Sequence, residues 1–557
     1  MNKYIKAAIL VLAIIAASFL AYWLQPEATK TAGLHPPQSN FEALTRRTGY
    51  EKPCMDGKPE WRKQQVIDGV EIAESKACNP DNPYDIAASV KGINNVSMHT
   101  LMQTHMAQDA LIKSDDLDGD GDPDIIRIKL EVIELNGSTP DNDKVFPSYD
   151  IAPGIRPGMW VFAPKSRGMS VIGYGSTKAH RMLRGPSPVI RVEQGDKIYI
   201  TLENTHYLPH TIHLHGVDHP WRTQGGTDND GVPITGAMPV FPGETRTYEF
   251  QPRQPGTMFY HCHVQTDKHL KMGLNSMFVV EENRPNNWVQ TFNIGAGHVR
   301  HSSVAIKASY DQEYDLVYQA IDKNLASTIQ QSNDPRVIAQ LMNRDYNITE
   351  SNENYFLLNG HSFPYTLRES LIVVEPDQNI KIRMVNAQSS NMAIHFHGHK
   401  ATITDYDGVE QAKGAQITRD VYDMAPAQRL DIHLQTKNDG LHSYGEGIWL
   451  FHDHAEKGIT TDGITPGGNV SALVYTSLLD EDSMPKVRPE AISNVFDKNY
   501  YSGNKPIWGM GEFAPYLGDV RVYGGNYAQL VGFGLVLGLI ISLFFRLIRT
   551  FKKGAAK

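Results

Sequence analysis

His210-Thr211-Ile212-His213-Leu214-His215-Gly216 is followed, 46 positions after His215, by His261-Cys262-His263. The pattern returns as His395-Phe396-His397-Gly398 and, 55 positions after His397, as His452-Asp453-His454. On a strand, residues two apart point to the same side, so each His-x-His pair presents two imidazoles together. The surrounding chain reads as short strands with Gly/Pro/Asp turns: Ile125–Val132 nearly alternates, and Val189–Val192, Lys197–Ile200 and Met277–Val280 follow it. After a linker near 282–287, residues 288–480 repeat that texture around one predicted helix, Asp334–Asn343. The repetition predicts a mainly β fold of two Greek-key β-sandwiches.

The chain has 557 residues, 21% charged and 41% hydrophobic, which is globular composition on a multi-domain length. Its net charge of -9 and the lack of a basic stripe argue against nucleic acid as a partner. The predicted organisation is a membrane anchor or signal over 1–24, an extension over 25–123, sandwiches over 124–284 and 285–480, a connector over 481–526 and a transmembrane helix over 527–548. Ala7–Leu24 is apolar behind Lys3 and Lys6, and Leu530–Phe545 is apolar before Arg549, Lys552 and Lys553. Positive charge at both ends places both in the cytoplasm and the body between them outside it, on the periplasmic side of a bacterial inner membrane. An oxidising compartment suits a Cys54–Cys78 disulfide and leaves Cys262 unpaired. In the extension, a helical patch over Val96–Ile112 carries Met98, Met102 and Met106 at helical spacing, which reads as packing.

Eight neutral imidazoles brought together suit copper, zinc, nickel or iron. Cys262 narrows the choice. Between His261 and His263 its thiolate must face away from theirs, so a second metal is expected on the opposite face of the strand. His210 and His269 are within reach as its partners. One thiolate, two imidazoles and a weak axial position make a blue-copper electron-transfer site. The strand His261-Cys262-His263 then links that copper to the histidine cluster.

Over residues 124–480 the sequence resembles the multicopper oxidases, in particular the two-domain laccase-like group with its blue copper in the first domain. That resemblance implies cupredoxin-like folds, four coppers per chain, dioxygen as acceptor, a phenolic or metal-ion electron donor, and a homotrimer. His210, Cys262 and His269 match the type 1 ligands, and His213 and His395 the type 2 ligands. His215, His261, His263, His397, His452 and His454 match the type 3 pair. Met392 and Asp453 stand where a second type 1 site would need a histidine and a cysteine, so the second domain has none. His269 lies seven residues after Cys262 rather than the family's five, implying a two-residue insertion. The axial position falls on Leu274, or on Met272 if the loop is shifted. Asp230 resembles the acidic residue beside the type 2 copper, and Glu456 is a second proton-relay carboxylate.

Asp116, Asp118, Asp120, Asp122 and Asp124 alternate around Gly121 as in a calcium loop, although Arg127 occupies the position of the usual bidentate glutamate. Two alternatives to an oxidase use the same histidines. A copper nitrite reductase needs only three at its catalytic copper, and a copper-storage protein has no need of a thiolate wired to a cluster.

Overall fold

Lys197–Glu203 alternates between outer and inner faces, with Ile198, Ile200 and Leu202 buried, as a strand with one wet side should. It runs parallel to Ile125–Leu135 and antiparallel to Thr245–Phe250, and Leu111–Ser114 pairs on the far edge of Ile125–Leu135. Facing this sheet is a second one, ordered His213–His215, Gly256–His261, Asn275–Glu281, Val189–Glu193. Ile126, Ile200, Leu214 and Phe278 meet between the two layers. The computed structural model describes residues 62–75, 81–141, 144–168, 170–307, 309–480, 483–486, 496–502 and 534–546.

The second sandwich reproduces this order. Arg429–Gln435, Asn379–Ala387 and Gln312–Asp322 form the core of one sheet, and Met392–Phe396, Ile448–Asp453, Ser471–Tyr475 and Ile372–Val374 follow one another in the other. Even the parallel step recurs: Val280 pairs with Val192 in the first sandwich, and Tyr475 with Val374 in the second. The sequence repeat is thus a repeat of topology.

The two sandwiches share a buried boundary. Phe259, Met277 and Val279 of the first pack with Val317, Val385 and Ala387 of the second. Beside them lies a dry ionic network. The Arg191 guanidinium donates to Glu281 at 3.0 Å, to Glu313 at 2.8 Å and to both oxygens of Asp315 at 3.0 and 2.8 Å. Arg383 donates to Asp431 at 2.7 Å and to Glu313. All six side chains are buried, so each charge depends on its partners rather than on water. Asp315→Ala is therefore expected to cost on the order of 3–5 kcal/mol, because it strands part of the Arg191 charge. Chemical denaturation of the variant measures this. The paired replacement Arg191→Met/Asp315→Leu should cost less than the sum of its two single changes.

Several local expectations change. The helix in the extension is Met98–Gln103 and ends well before Ile112, which lies in a strand already part of the first sheet. Met98 and Met102 are exposed, and only Met106 is buried, so the packing reading holds for one methionine of three. In the second region the helix predicted over Asp334–Asn343 is present as Pro335–Gln340, continued to Asp345 by a wider π turn, and a second helix, Lys323–Gln331, precedes it. Asp322 and Asp334 accept backbone N–H bonds at their starts. Cys54, Cys78, the 1–24 segment and most of 481–526 lie outside the described residues. Residues 534–546 are helical with Leu535 and Phe544 exposed, and among the described residues no helix is long and apolar enough to cross a membrane.

Candidate metal centres

Strand register creates the first half-site. His213 sits directly opposite His261, on the adjacent strands His213–His215 and Gly256–His261. Ligand atoms of His213, His215 and His261 lie within 4.8 Å of one another. Nε2 of His215 and Nε2 of His261 are 2.9 Å apart, and the His263 ring is 5.1 Å from that of His213. The second half-site is built alike, with His395 opposite His452 and Nε2 of His397 3.3 Å from Nε2 of His452. The His454 ring lies 5.5 Å from that of His452.

Backbone carbonyls choose which nitrogen is presented. Nδ1 of His213 is 2.8 Å from the Asp230 carbonyl and Nδ1 of His261 is 2.8 Å from that of Cys262. His395 and His452 repeat this with the carbonyls of Asp420 and Asp453, at 3.1 and 3.0 Å. A proton held on Nδ1 by a carbonyl leaves Nε2 as the ligand. Burial, reinforced by neighbouring imidazoles, pushes His261 down to about 3 and His215 down to about 4. These rings are neutral at any physiological pH, as metal ligation requires.

The glycine after each first pair has a steric reason. Gly216 and Gly398 both have positive φ, +80° and +63°. A Cβ on Gly216 would stand 2.4 Å from Sδ of Met258, and one on Gly398 2.5 Å from the Trp449 ring.

On the other face of His261-Cys262-His263, the Cys262 thiol meets two imidazoles. Its Sγ lies 3.7 Å from Nδ1 of His210 and 3.4 Å from Nδ1 of His269, and all three residues are buried. His269 reaches this place because Thr266–His269 forms one helical turn after Gln265, whose φ is +44°. The extra residues of the loop are absorbed in that turn. Leu274 and Met272 are both fully buried, and the Leu274 carbonyl accepts the Cys262 N–H at 3.0 Å. Burial raises the thiol to about 11, so a metal arriving here must displace its proton. A soft thiolate with two imidazoles suits copper, and the converging imidazoles of each half-site suit it as well.

Asp230 is placed at its half-site. Its carboxylate Oδ1 is 3.3 Å from Nδ1 of His213 and 3.3 Å from Nε2 of His219. Asp420 occupies the matching position in the second sandwich, with Oδ2 3.9 Å from Nδ1 of His395. Sequence reading missed Asp420 and His219. The available signal was an aspartate some way downstream of each first pair, 17 residues after His213 and 25 after His395. Glu456 is exposed at the start of the turn Glu456–Ile459.

The acidic loop supplies three converging carboxylates rather than five. Asp116, Asp118 and Asp120 have oxygens within 4.8 Å of one another. Asp122 instead accepts the Asn287 N–H at 2.8 Å, and Asp124 accepts from the N–H groups of Leu117 and Asp118. Asp122 thus ties the loop to a distant segment, and Asp124 closes the loop on itself.

Two profiles described as Multicopper oxidase match residues 183–285 and 335–463. The iron transport multicopper oxidase FET3 of Gibberella zeae is 25% identical over 345 residues, covering 57% of this chain and 49% of its own. Laccase-2 of Botryotinia fuckeliana is 34% identical over 122 residues, 21% of this chain and 19% of its own. The chain thus spans about half or less of the length of these relatives. A solved blue copper oxidase from Nitrosomonas europaea aligns with 68% of this chain and 93% of its own, at 23% identity and a TM-score of 0.46.

Proposed function

This chain belongs to the multicopper oxidase superfamily, and we propose that it takes single electrons from a phenolic compound or a reduced metal ion and passes them to dioxygen. The observation that carries the reading is the pair of opposed faces on one strand. Cys262 meets His210 and His269 on one side, while its neighbours His261 and His263 join His213 and His215 on the other. Copper at the first site supplies one-electron chemistry, and three coppers shared by the eight paired histidines supply the reduction of dioxygen to water. Asp230 orients His213 and can hold a proton at Oδ1, and Asp420 offers the same to His395. Glu456, exposed two residues past His454, is the second carboxylate offered as a proton relay. Oxygen uptake tests the reading. Copper-loaded protein should consume oxygen with a phenolic, ferrous or cuprous donor, and binding of copper without any uptake would favour storage.

The proposal extends to a homotrimer. Among the described residues, no imidazole of one half-site makes a ring contact or hydrogen bond with one of the other half-site. The second half-site is fringed by exposed apolar side chains, Tyr444 and Leu450 beside His397, and Ile234 and Met238 are exposed on the segment that follows Asp230. Leu450 and Tyr444 are tied to the second half-site, since the Leu450 carbonyl accepts the His397 N–H and the Tyr444 N–H donates to Gly398. A first sandwich of one chain meeting the second sandwich of the next would cover these side chains and complete a cluster, and three such contacts close a ring.

The terminal apolar runs support a membrane-anchored protein with its oxidase body outside the cytoplasm. Calcium would bind at Asp116, Asp118 and Asp120. Saturating calcium should raise the thermal midpoint, by about 2.7 kcal/mol of stability at a hundredfold excess over Kd. Asp116→Asn/Asp118→Asn should abolish the shift. An unchanged midpoint in the wild-type protein would leave these residues as a solvated acidic turn.

A further inference from the structure

Nδ1 of His210 faces Cys262, and its other nitrogen is also engaged. Nε2 lies 2.9 Å from Nδ1 of His206. Nε2 of His206 in turn faces the carboxylate of Glu134, 3.6 Å from Oε2. That oxygen accepts the indole N–H of Trp160 at 3.1 Å and the hydroxyl of Tyr207. The Trp160 ring stands edge-on to His206, His210 and His269, with centroids 4.8, 5.9 and 5.2 Å away. His206, His210, His269 and Trp160 are all buried. Only Glu134 and Tyr207, at the outer end, are partly open to solvent.

Counting protons gives the chain a direction. A neutral imidazole carries one N–H. With Nδ1 of His210 reserved for the metal, its proton sits on Nε2 and donates to the acceptor in reach, Nδ1 of His206. The His206 proton is then on Nε2, the nitrogen turned toward a carboxylate. The His210 proton is placed by a hydrogen bond, whereas His206 Nε2 has no hydrogen-bond partner and feels the Glu134 carboxylate, 3.6 Å away, through its charge.

The second sandwich provides an internal control. His206 precedes His210 by four residues, and Gln388 precedes Met392 by four. Asn204 Oδ1 accepts the His206 N–H at 2.9 Å, and Asn386 Oδ1 accepts the Gln388 N–H at 3.0 Å. Gln388 contacts Met392 as His206 contacts His210, with Nε2 3.7 Å from Sδ. The framework is kept in both repeats. Where the type 1 ligands are lost, the histidine behind them is lost too.

We infer that His206 and Glu134 are positioning residues of the type 1 site: they hold His210 in the tautomer that presents Nδ1 to the metal, and strengthen it as a donor. The inference rests on the type 1 reading of His210, Cys262 and His269. An imidazole whose N–H is drawn toward an acceptor and a carboxylate is a more basic ligand. It favours the oxidised ion and lowers the reduction potential of the site.

The test is a redox titration of the blue band in full-length, copper-loaded protein. His206→Leu, which removes the acceptor, should raise the midpoint by at least about 60 mV, a tenfold change in the one-electron equilibrium. His206→Gln, whose amide oxygen can still accept the bond, should recover part of the shift. Glu134→Gln should move the midpoint the same way by less, and adding it to His206→Leu should add nothing, since both act through one chain. An unchanged midpoint in His206→Leu, or full additivity in the double variant, overturns the inference. Should His206→Leu fail to fold, an unchanged midpoint in Glu134→Gln does so alone. Wild-type protein that loads copper without turning blue overturns the type 1 reading itself, and this inference with it.

Discussion

Cys262→Ser protein is expected to load copper at the paired histidines, to lack the intense absorption in the red, and to have no measurable oxidase turnover. The colour requires a thiolate-to-copper transition, and Cys262 is the one thiol that can provide it among the described residues. A serine hydroxyl has similar size but is a hard, protonated ligand, so the site loses its electron acceptor without losing its shape. The bound copper should fall by one per chain, with the half-sites unaffected because they lie on the other face of the strand. A substituted protein that kept its blue band would place the thiolate site elsewhere. In the wild-type protein, loading of this site should depend on pH with a definite sign. The thiol is held at about 11 by burial, while burial pushes His269 down to about 3 and His210 well below its ordinary value. One proton is thus released per copper bound, all of it from sulfur. Apparent affinity should rise about tenfold per pH unit between pH 6 and 9, and that slope should vanish in the serine variant.

Mixing two inactive chains is expected to restore activity. His213→Ala/His215→Ala removes half of the first half-site, and His395→Ala/His397→Ala removes half of the second. Neither protein should turn over by itself, because every cluster in a uniform assembly would contain one damaged half. In mixed trimers some contacts bring an intact first sandwich against an intact second sandwich, and those clusters are complete. Oxygen uptake after co-refolding or co-expression reads the result against each parent. Co-assembled trimers that recover nothing would mean that clusters do not form between chains. The result bears on assembly alone, since the type 1 site lies within one sandwich and should stay blue in both parents.

Much of the site was legible because the rule that builds it is local. Alternation along a strand puts His261 and His263 on one side and Cys262 on the other whatever surrounds them. The doubled His-x-His pattern likewise implied two sandwiches before any pairing was known. The same rule does not extend past the end of a strand. Spacing alone does not bring His269 to the sulfur, because its distance from Cys262 in sequence departs from the family's. Only the folded turn Thr266–His269, packed under Trp160, brings its Nδ1 to 3.4 Å from the sulfur.

What tertiary structure alone decided involves partners far apart in the chain, or side chains whose exposure depends on neighbours. Arg191 and Asp315 are 124 residues apart and meet only because the two sandwiches pack face to face. Glu134 lies on one strand and His206 and His210 in the loop between two others, and no spacing announces that they meet. Asp420 takes its role from a position in the repeat rather than from a motif. Five aspartates in alternation look equivalent in the sequence, yet two of them are drawn inward by backbone N–H groups, one of them on a distant segment, and leave three. Met98 and Met102 have helical spacing, but that spacing does not say which way the helix faces. The sequence by itself determined which residues share a side of a strand, because that follows from covalent geometry. Which strands meet, and what each side chain then touches, follows from packing, where the partners are set by the whole fold.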